Sequence, residues 1–379
     1  MRAKAQRGIG MKIIHCADLH LDSKLTANLS KEKAKERKAE LLQTFTDMVE
    51  YADKNNVRAI IIAGDLFDVR NISVTAKNTV YNAVVNHGDI DFYYLKGNHD
   101  ADSFLSMLEE IPENLKLFGD SLTSYTLTEG NYKNVVITGA ELSEKNTKTI
   151  YSSLVLDNDK INIVVLHGQE AAYKAKDKAE VININALRNK GIDYLALGHV
   201  HSHKEERLDN RGVLCYSGCL EGRGFDECGQ CGFMLLDIDC ESKRLSYSFV
   251  PFARRSLYTV NTDVSGCLTS MDILKRVRER LDEGAYNAES LVKIVLCGSV
   301  DVECEKNTEF IRKQLEDSFY FVKVYDETRL AVDYSAFARD VSLKGEFIRT
   351  VMGEGGIDEE QKAEIIRYGI QALAGEETD

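Results

Sequence analysis

The chain predicts an α/β protein whose strands end along one polar edge, and three observations carry that reading. The first is residues 59–62, Ala-Ile-Ile-Ile, a continuous apolar and β-branched run that reads as a strand buried on both faces and stops at Gly64-Asp65. The second is that four other apolar runs stop in the same way. Residues 12–17 deliver Asp18 and His20, and residues 91–95 deliver Asn98 and His99. Residues 161–166 deliver His167, and residues 193–197 deliver His199 and His201. The third is the helical period of the segments between the first strands, residues 30–51 and 74–86. In an open α/β sheet the carboxyl ends of strands are where ligands sit, so the polar edge is the place to look for chemistry.

Taken in order, residues 1–10 form a basic N-terminal extension with Arg2, Lys4 and Arg7, and Met11 is an equally good start. The helix over 30–51 mixes lysine and glutamate early and turns apolar at Leu41, Leu42, Phe45, Met48 and Val49, the pattern of a solvated outer face over a buried inner one. A short helix is expected over 103–110 and a strand over 135–139. Residues 213–216 and 232–238 read as further strands, antiparallel because their links are short. Pro251, one of two prolines, marks a boundary after a first domain of 11–250. Strand and helix then alternate through a small α/β domain, 251–334, and residues 335–379 carry two amphipathic helical stretches with stripes through Phe337, Val341, Phe347 and Ile348 and through Ile365, Ile366 and Leu373.

The composition, 44% hydrophobic and 29% charged, is that of a globular protein, and no apolar run approaches the roughly 18 residues of a membrane span. The N-terminus lacks the apolar core of a secretory signal, so a cytoplasmic, membrane-free protein is expected. Nine scattered cysteines do not make a secreted disulfide framework. Cys215, Cys219, Cys228 and Cys231 approach zinc-ligand spacing, but Cys215 sits in an apolar strand and buried or surface thiols are the simpler reading. A net charge of −13 argues against a broad electrostatic grip on nucleic acid, so any role on DNA requires a local basic surface, metal ions or a partner.

Carboxylate, amide oxygen and imidazole are the ligand types of first-row divalent metals, and five strand ends carrying them together outweigh the bland reading of each alone. Asp18, His20, Asp65, Asn98, His167, His199 and His201 are too many for one ion and suit two that share a carboxylate, for which Asp65 is the candidate. Such a pair suits phosphoryl transfer, and the mixed N/O set suits manganese, iron or zinc better than calcium. His15 lies within a strand and reads as core, His87 as a loop residue, and His203 as pointing outward. Arg223, between Gly222 and Gly224, reads as a basic loop residue within reach of a substrate backbone.

The motifs D-x-H at Asp18, G-D-x-x-D at Gly64, G-N-H-D at Gly97, H-G at His167 and G-H-x-H at Gly198 together resemble the calcineurin-like metallophosphoesterase signature. The stretch IIHCADLHLDS, the GDLFD form and the second domain resemble the SbcD-type DNA repair nucleases, and the tail their YhaO branch. The resemblance implies two mixed β-sheets sandwiched between helices. It implies one ion on Asp18, His20, Asp65 and His201 and another on Asp65, Asn98, His167 and His199. His99 would donate to the leaving oxygen, with Asp65 and Asp68 also counted in the catalytic set, and Asp68 and Asp100 would orient imidazoles or water. The second domain would cap the site, the tail would dock on an SbcC-like coiled-coil ATPase, and the helices after Phe67 and Asp100 would form a homodimer contact. The activity implied is a metal-dependent DNA exonuclease or endonuclease. The alternative is a small-molecule or nucleotide phosphoesterase, because the same core serves many esters; a binding module with a decayed site is disfavoured because no ligand position is missing.

Overall fold

Strands Ile161–His167 and Tyr194–Gly198 are buried at every position, which requires a layer on each of their faces. The computed structural model describes residues 10–25, 29–68, 72–100, 103–106, 108–129, 132–147, 149–170, 181–301, 304–330 and 339–374. The extension over 1–9 and the start of the tail, 335–338 with Phe337, lie outside the described residues. The chain divides into two compact units that meet at Ser256 and Leu257.

The first unit contains strands β1 (Gly10–Cys16), β2 (Val57–Ala63), β3 (Asp91–Leu95), β4 (Leu115–Leu117), β5 (Thr123–Glu129), β6 (Tyr132–Gly139) and β7 (Ile161–His167). It continues with β8 (Gln169–Glu170), β9 (Val181–Ile182), β10 (Tyr194–Gly198), β11 (Lys204–Arg207), β12 (Val213–Tyr216), β13 (Gly232–Asp239) and β14 (Arg244–Pro251). One six-stranded sheet has the order β14-β13-β1-β2-β3-β4 and the other β11-β12-β10-β7-β6-β5. Both are mixed: β1 to β4 run parallel with β13 and β14 antiparallel at one edge, while β6, β7, β10 and β12 run parallel between antiparallel edges β5 and β11.

Residues 213–216 meet the expectation of an antiparallel strand on one side only. Across their short link they pair antiparallel with β11, a polar Lys-Glu-Glu-Arg edge strand without an apolar run to announce it, and on the other side they pair in parallel with β10. The helix expected over 103–110 spans Ser103–Ser106.

Alternation along the strands divides the core into layers. Ile13, Ala59, Ile61 and Tyr93 of the first sheet meet Ile137, Ile163, Val165 and Ala196 of the second. The opposite residues Ile14, Ile60, Ile62 and Phe92 pack on Phe45, Met48 and Val49 of α1 (Lys31–Lys54) and on Val80 and Val84 of α2 (Val74–Asn86). Val164, Leu195 and Leu197 pack on Ile150, Tyr151 and Leu187. The result is two sheets between helices. Each helix start is fixed locally, Ser30 and Ser73 accepting from the backbone N–H groups of Lys33 and Ala76.

In the second unit, β15 (Leu257–Asp263), β16 (Leu291–Cys297) and the strand Phe321–Asp326 form a parallel sheet packed on helices Ser270–Asp282 and Thr308–Leu315. Pro251 is the last residue of β14, paired with Gly232. Helices Leu343–Gly353 and Glu359–Ala374 pack through Ile348, Val351 and Ile366, whereas Val341, expected in that stripe, precedes the helix and is exposed.

Candidate metal centre

Register brings the polar edge together. Ala63 lies opposite Leu95 in one sheet and Gly198 opposite His167 in the other, and His167 Nδ1 to Ala63 O (2.9 Å) joins the two pairs of strand ends. The loop after β1 is stitched to the loop after β2 by Asp18 N–H to Gly64 O (3.1 Å), His20 N–H to Asp65 O (2.9 Å) and Leu21 N–H to Leu66 O (2.9 Å). Four of the candidate ligands, Asp18, His20, Asp65 and His199, have positive φ. For non-glycine residues that is sparsely populated backbone, costing of order 1–3 kcal/mol each, and such strain concentrates at functional sites. The loops also approach closely: a Cβ on Gly64 would lie 2.1 Å from His167 Nδ1, and one on Gly97 2.2 Å from Asp65 Oδ1.

All seven residues expected as ligands converge. His20 Nε2 lies 3.2 Å from His201 Nε2 and 3.7 Å from Asp65 Oδ2. His167 Nε2 lies 3.4 Å from Asp65 Oδ2 and 3.0 Å from Asn98 Oδ1, which is 3.3 Å from His199 Nδ1. The Asp18 carboxylate accepts the His199 backbone N–H at 2.9 and 3.0 Å. Ligand atoms gather into three groups, Asp18-His20-His201, Asp18-Asp65-His167 and His20-Asp68-His99, each within 4.8 Å. Asp18 thus joins two groups, as Asp65 was expected to.

The donor set fits divalent metal. His167 Nδ1 donates to Ala63 O at 2.9 Å, so its Nε2 meets a carboxylate oxygen and an amide oxygen with no proton of its own in the neutral ring. His20 and His201 likewise turn Nε2 toward each other while their Nδ1 atoms face carboxylates, Asp68 Oδ1 at 3.4 Å and Glu227 Oε1 at 2.7 Å. A cluster of acceptors facing acceptors calls for a cation between them. The electrostatics agree. Burial would raise the Asp65 carboxyl, but His167 and His20 beside it hold it below the usual carboxylate range. Burial would lower His167, yet Asp65 and Asp18 push it up to about 9, a proton standing in for metal charge. His199 is lowered to about 4 by burial and by His167.

Around these groups stand the props. Asp68 Oδ1 lies 3.3 Å from His99 Nδ1 and Asp68 Oδ2 accepts from Ser23 Oγ at 2.7 Å. The Asp68 contact raises the imidazole of His99 against its partial burial, which lowers it, and the His99 backbone N–H donates to Asp65 Oδ1 at 2.9 Å. Asp100 was expected to orient an imidazole or water; instead it accepts the backbone N–H groups of Leu66, Phe67 and Gly97 and ties the Asp65 loop to the Asn98 loop. Desolvation of the carboxyl, with Asp65 nearby, pushes it up to about 6.

Arg223 is a second correction. It is largely buried, its Nε 3.1 Å from Glu227 Oε1 and its Nη1 3.6 Å from Asp68 Oδ2, so its charge is spent inside the protein rather than held out on a loop. Glu227 belongs to no motif and was not foreseen. Burial raises its carboxyl, and hydrogen bonds from His201 and Arg223 bring it down to about 2.

The remaining histidines stay outside the cluster: His15 is buried against Tyr194, His87 bonds Ala83 O, and His203 stacks on Phe249. Cys219 and Cys231 bury their sulfurs 3.4 Å apart, Cys228 is exposed, Cys215 lies in the inter-sheet core, and among the described residues no thiol enters a candidate metal group. Among the described residues no helix is long and apolar enough to cross a membrane.

The chain is similar to the metallophosphoesterase YhaO of Bacillus subtilis, 25% identical over 63% of this chain and 60% of the relative, so it spans less than two thirds of that protein. It is 24% identical to the DNA double-strand break repair protein Mre11 of Sulfolobus acidocaldarius over 77% of this chain and 76% of the relative. It is also 24% identical to the SbcD component of the nuclease SbcCD of B. subtilis, over 58% of this chain and 64% of the relative. The family model for calcineurin-like phosphoesterase matches residues 11–203, the stretch that carries every loop of the acceptor cluster, and the chain belongs to that family of phosphoester hydrolases.

Proposed function

We propose that the protein is a dimetal phosphodiesterase that cuts DNA. The observation that carries the hydrolytic reading is the acceptor cluster, above all His20 Nε2 facing His201 Nε2 at 3.2 Å with a carboxylate behind each ring. Asp18, His20, Asp65 and His201 would hold one divalent ion and Asp65, Asn98, His167 and His199 the other, manganese being the first candidate and iron or zinc the next. When bound, such a pair supplies a nucleophilic water at neutral pH and neutralises charge on the phosphoryl oxygens. The protein's own part is to fix the geometry. Asp65 places an oxygen between the two halves, and Asp68 orients His20 and His99 together. His99 is half exposed at the rim, and its contact with Asp68 keeps a proton on the ring for the departing sugar oxygen.

The choice of DNA is supported by the names of the relatives, the DNA double-strand break repair protein Mre11 and the nuclease SbcCD, and a coiled-coil ATPase partner and a homodimer are proposed beside it. A small phosphoester as substrate is favoured by one observation, the net charge of −13. A manganese-supplemented assay decides between them, with linear duplex DNA, bis(4-nitrophenyl) phosphate and a cyclic nucleotide as parallel substrates. DNA cleavage that vanishes on adding chelator is expected. Turnover of the small esters alone would overturn the nuclease reading.

A further inference from the structure

We propose that Glu227 is the positioning residue that fixes the tautomer and ring plane of His201, with Arg223 binding this prop to the one behind His20. The inference rests on the dimetal reading and adds to it a residue outside every motif. A carboxylate has only acceptors, so the hydrogen between Glu227 Oε1 and His201 Nδ1, 2.7 Å apart, belongs to the imidazole. Its lone pair is then on Nε2, the atom that faces His20. Arg223 stands across both props: its backbone N–H donates to Glu227 Oε2 at 2.7 Å, its Nε to Oε1 at 3.1 Å, and its Nη1 lies 3.6 Å from Asp68 Oδ2. Arg223 Nη2 is also 3.4 Å from His201 Nδ1, but a guanidinium only donates, and a protonated Nδ1 has nothing to accept with.

Position in the chain makes a purely stabilising role a poor account. Glu227 is nearly fully buried, and a buried ion pair typically contributes little over apolar residues of the same volume. What an apolar residue does not do is hold a proton on one ring nitrogen. Carboxylates behind metal-binding imidazoles raise their basicity, and losing one typically weakens metal affinity about 10–100-fold.

The test uses the full chain labelled with [15N]histidine, with the His201 signal assigned by its absence in His201→Asn. Metal-free wild type should show His201 protonated on Nδ1, and calorimetry with manganese should show two ions. In Glu227→Gln, protonation should spread to Nε2 and one ion should bind about 10–100-fold more weakly while the other is within a few-fold of wild type, which also reports an intact fold. The double variant Arg223→Met/Glu227→Gln, which strands no charge, should stay as weak as the single one. Recovery of affinity in the double variant would show that the stranded guanidinium, not the lost prop, did the damage, and would overturn the proposal. So would an unchanged tautomer and two wild-type affinities in Glu227→Gln. Wild type binding neither ion would instead bring down the dimetal reading and this inference with it.

Discussion

The two halves of the proposed metal centre are held by different means. In one, His20 and His201 are backed by side-chain carboxylates, Asp68 and Glu227, which are bridged by Arg223. In the other, His167 is backed by a main-chain carbonyl, Ala63 O, and the His199 ring lies 3.3 Å from the Asn98 amide oxygen. The proton affinities do not follow that division and report nearby charge instead. His201 is raised once Glu227 and Asp18 outweigh its burial; in the other half burial leaves His199 near 4, while Asp65 and Asp18 push His167 up to about 9. A carboxylate prop can be removed by one substitution, but a carbonyl at the end of a strand is removed only with the strand. The first half is therefore adjustable by side chains, and the second is set by sheet register.

The largest effect should come from the residue proposed to belong to both halves. Asp65 Oδ2 lies 3.7 Å from His20 Nε2 and 3.4 Å from His167 Nε2. Asp65→Asn keeps the shape and removes the charge, which should cost several kcal/mol in the transition state, roughly a thousandfold in rate. Metal analysis of the same variant should show both ions weakened. Loss of only one would mean that the halves are independent and that Asp18, which also joins two of the groups, is the shared ligand.

His99→Ala should separate binding from turnover. The ring touches Asp68 on the first half yet belongs to neither proposed ligand set. Its removal should leave two ions bound and lower phosphodiester turnover by about a hundredfold or more. A weakened first ion would show that His99 works by holding Asp68 in place.

How much of this was legible in the chain follows the same division. The buried strands were, because an apolar run such as 59–62 has few other readings, and the convergence of the candidate ligands was, because each stands within a few residues of such a run. The polar edge strand β11 was not, since its pairing with β12 is made by backbone and leaves no apolar trace. The props divide likewise. Asp68 stands three residues from Asp65, whereas Glu227 sits 26 residues past His201, in a turn-rich segment where an acid looks like surface chemistry. Its burial depends on Arg223 folding back onto it, a contact that no spacing rule encodes. Arg223 was misread for the same reason: between two glycines it looks mobile, and only the tertiary structure shows its charge engaged.

The smallest effect is a control for the comparison, an imidazole near the site with no carboxylate behind it. His15, on β1 three residues before Asp18, is fully buried, its Nδ1 3.0 Å from the Tyr194 hydroxyl. Burial lowers its pKa to about 3 from an ordinary 6.5. Between those values the unfolded chain holds a proton that the folded one does not, so stability falls as pH drops from 6.5 toward 3, by at most about 1.4 kcal/mol per pH unit. His199 acts in the same direction over part of this range, and the opposite slope of His167 lies between pH 6.5 and 9, so the quantity to measure is the difference between wild type and His15→Gln in urea unfolding from pH 6.5 to 4.5. The variant should be less stable than wild type at pH 7 and have the shallower slope below 6.5. Equal slopes would mean that His15 enters the fold protonated, and that a buried imidazole here needs no carboxylate to keep its charge.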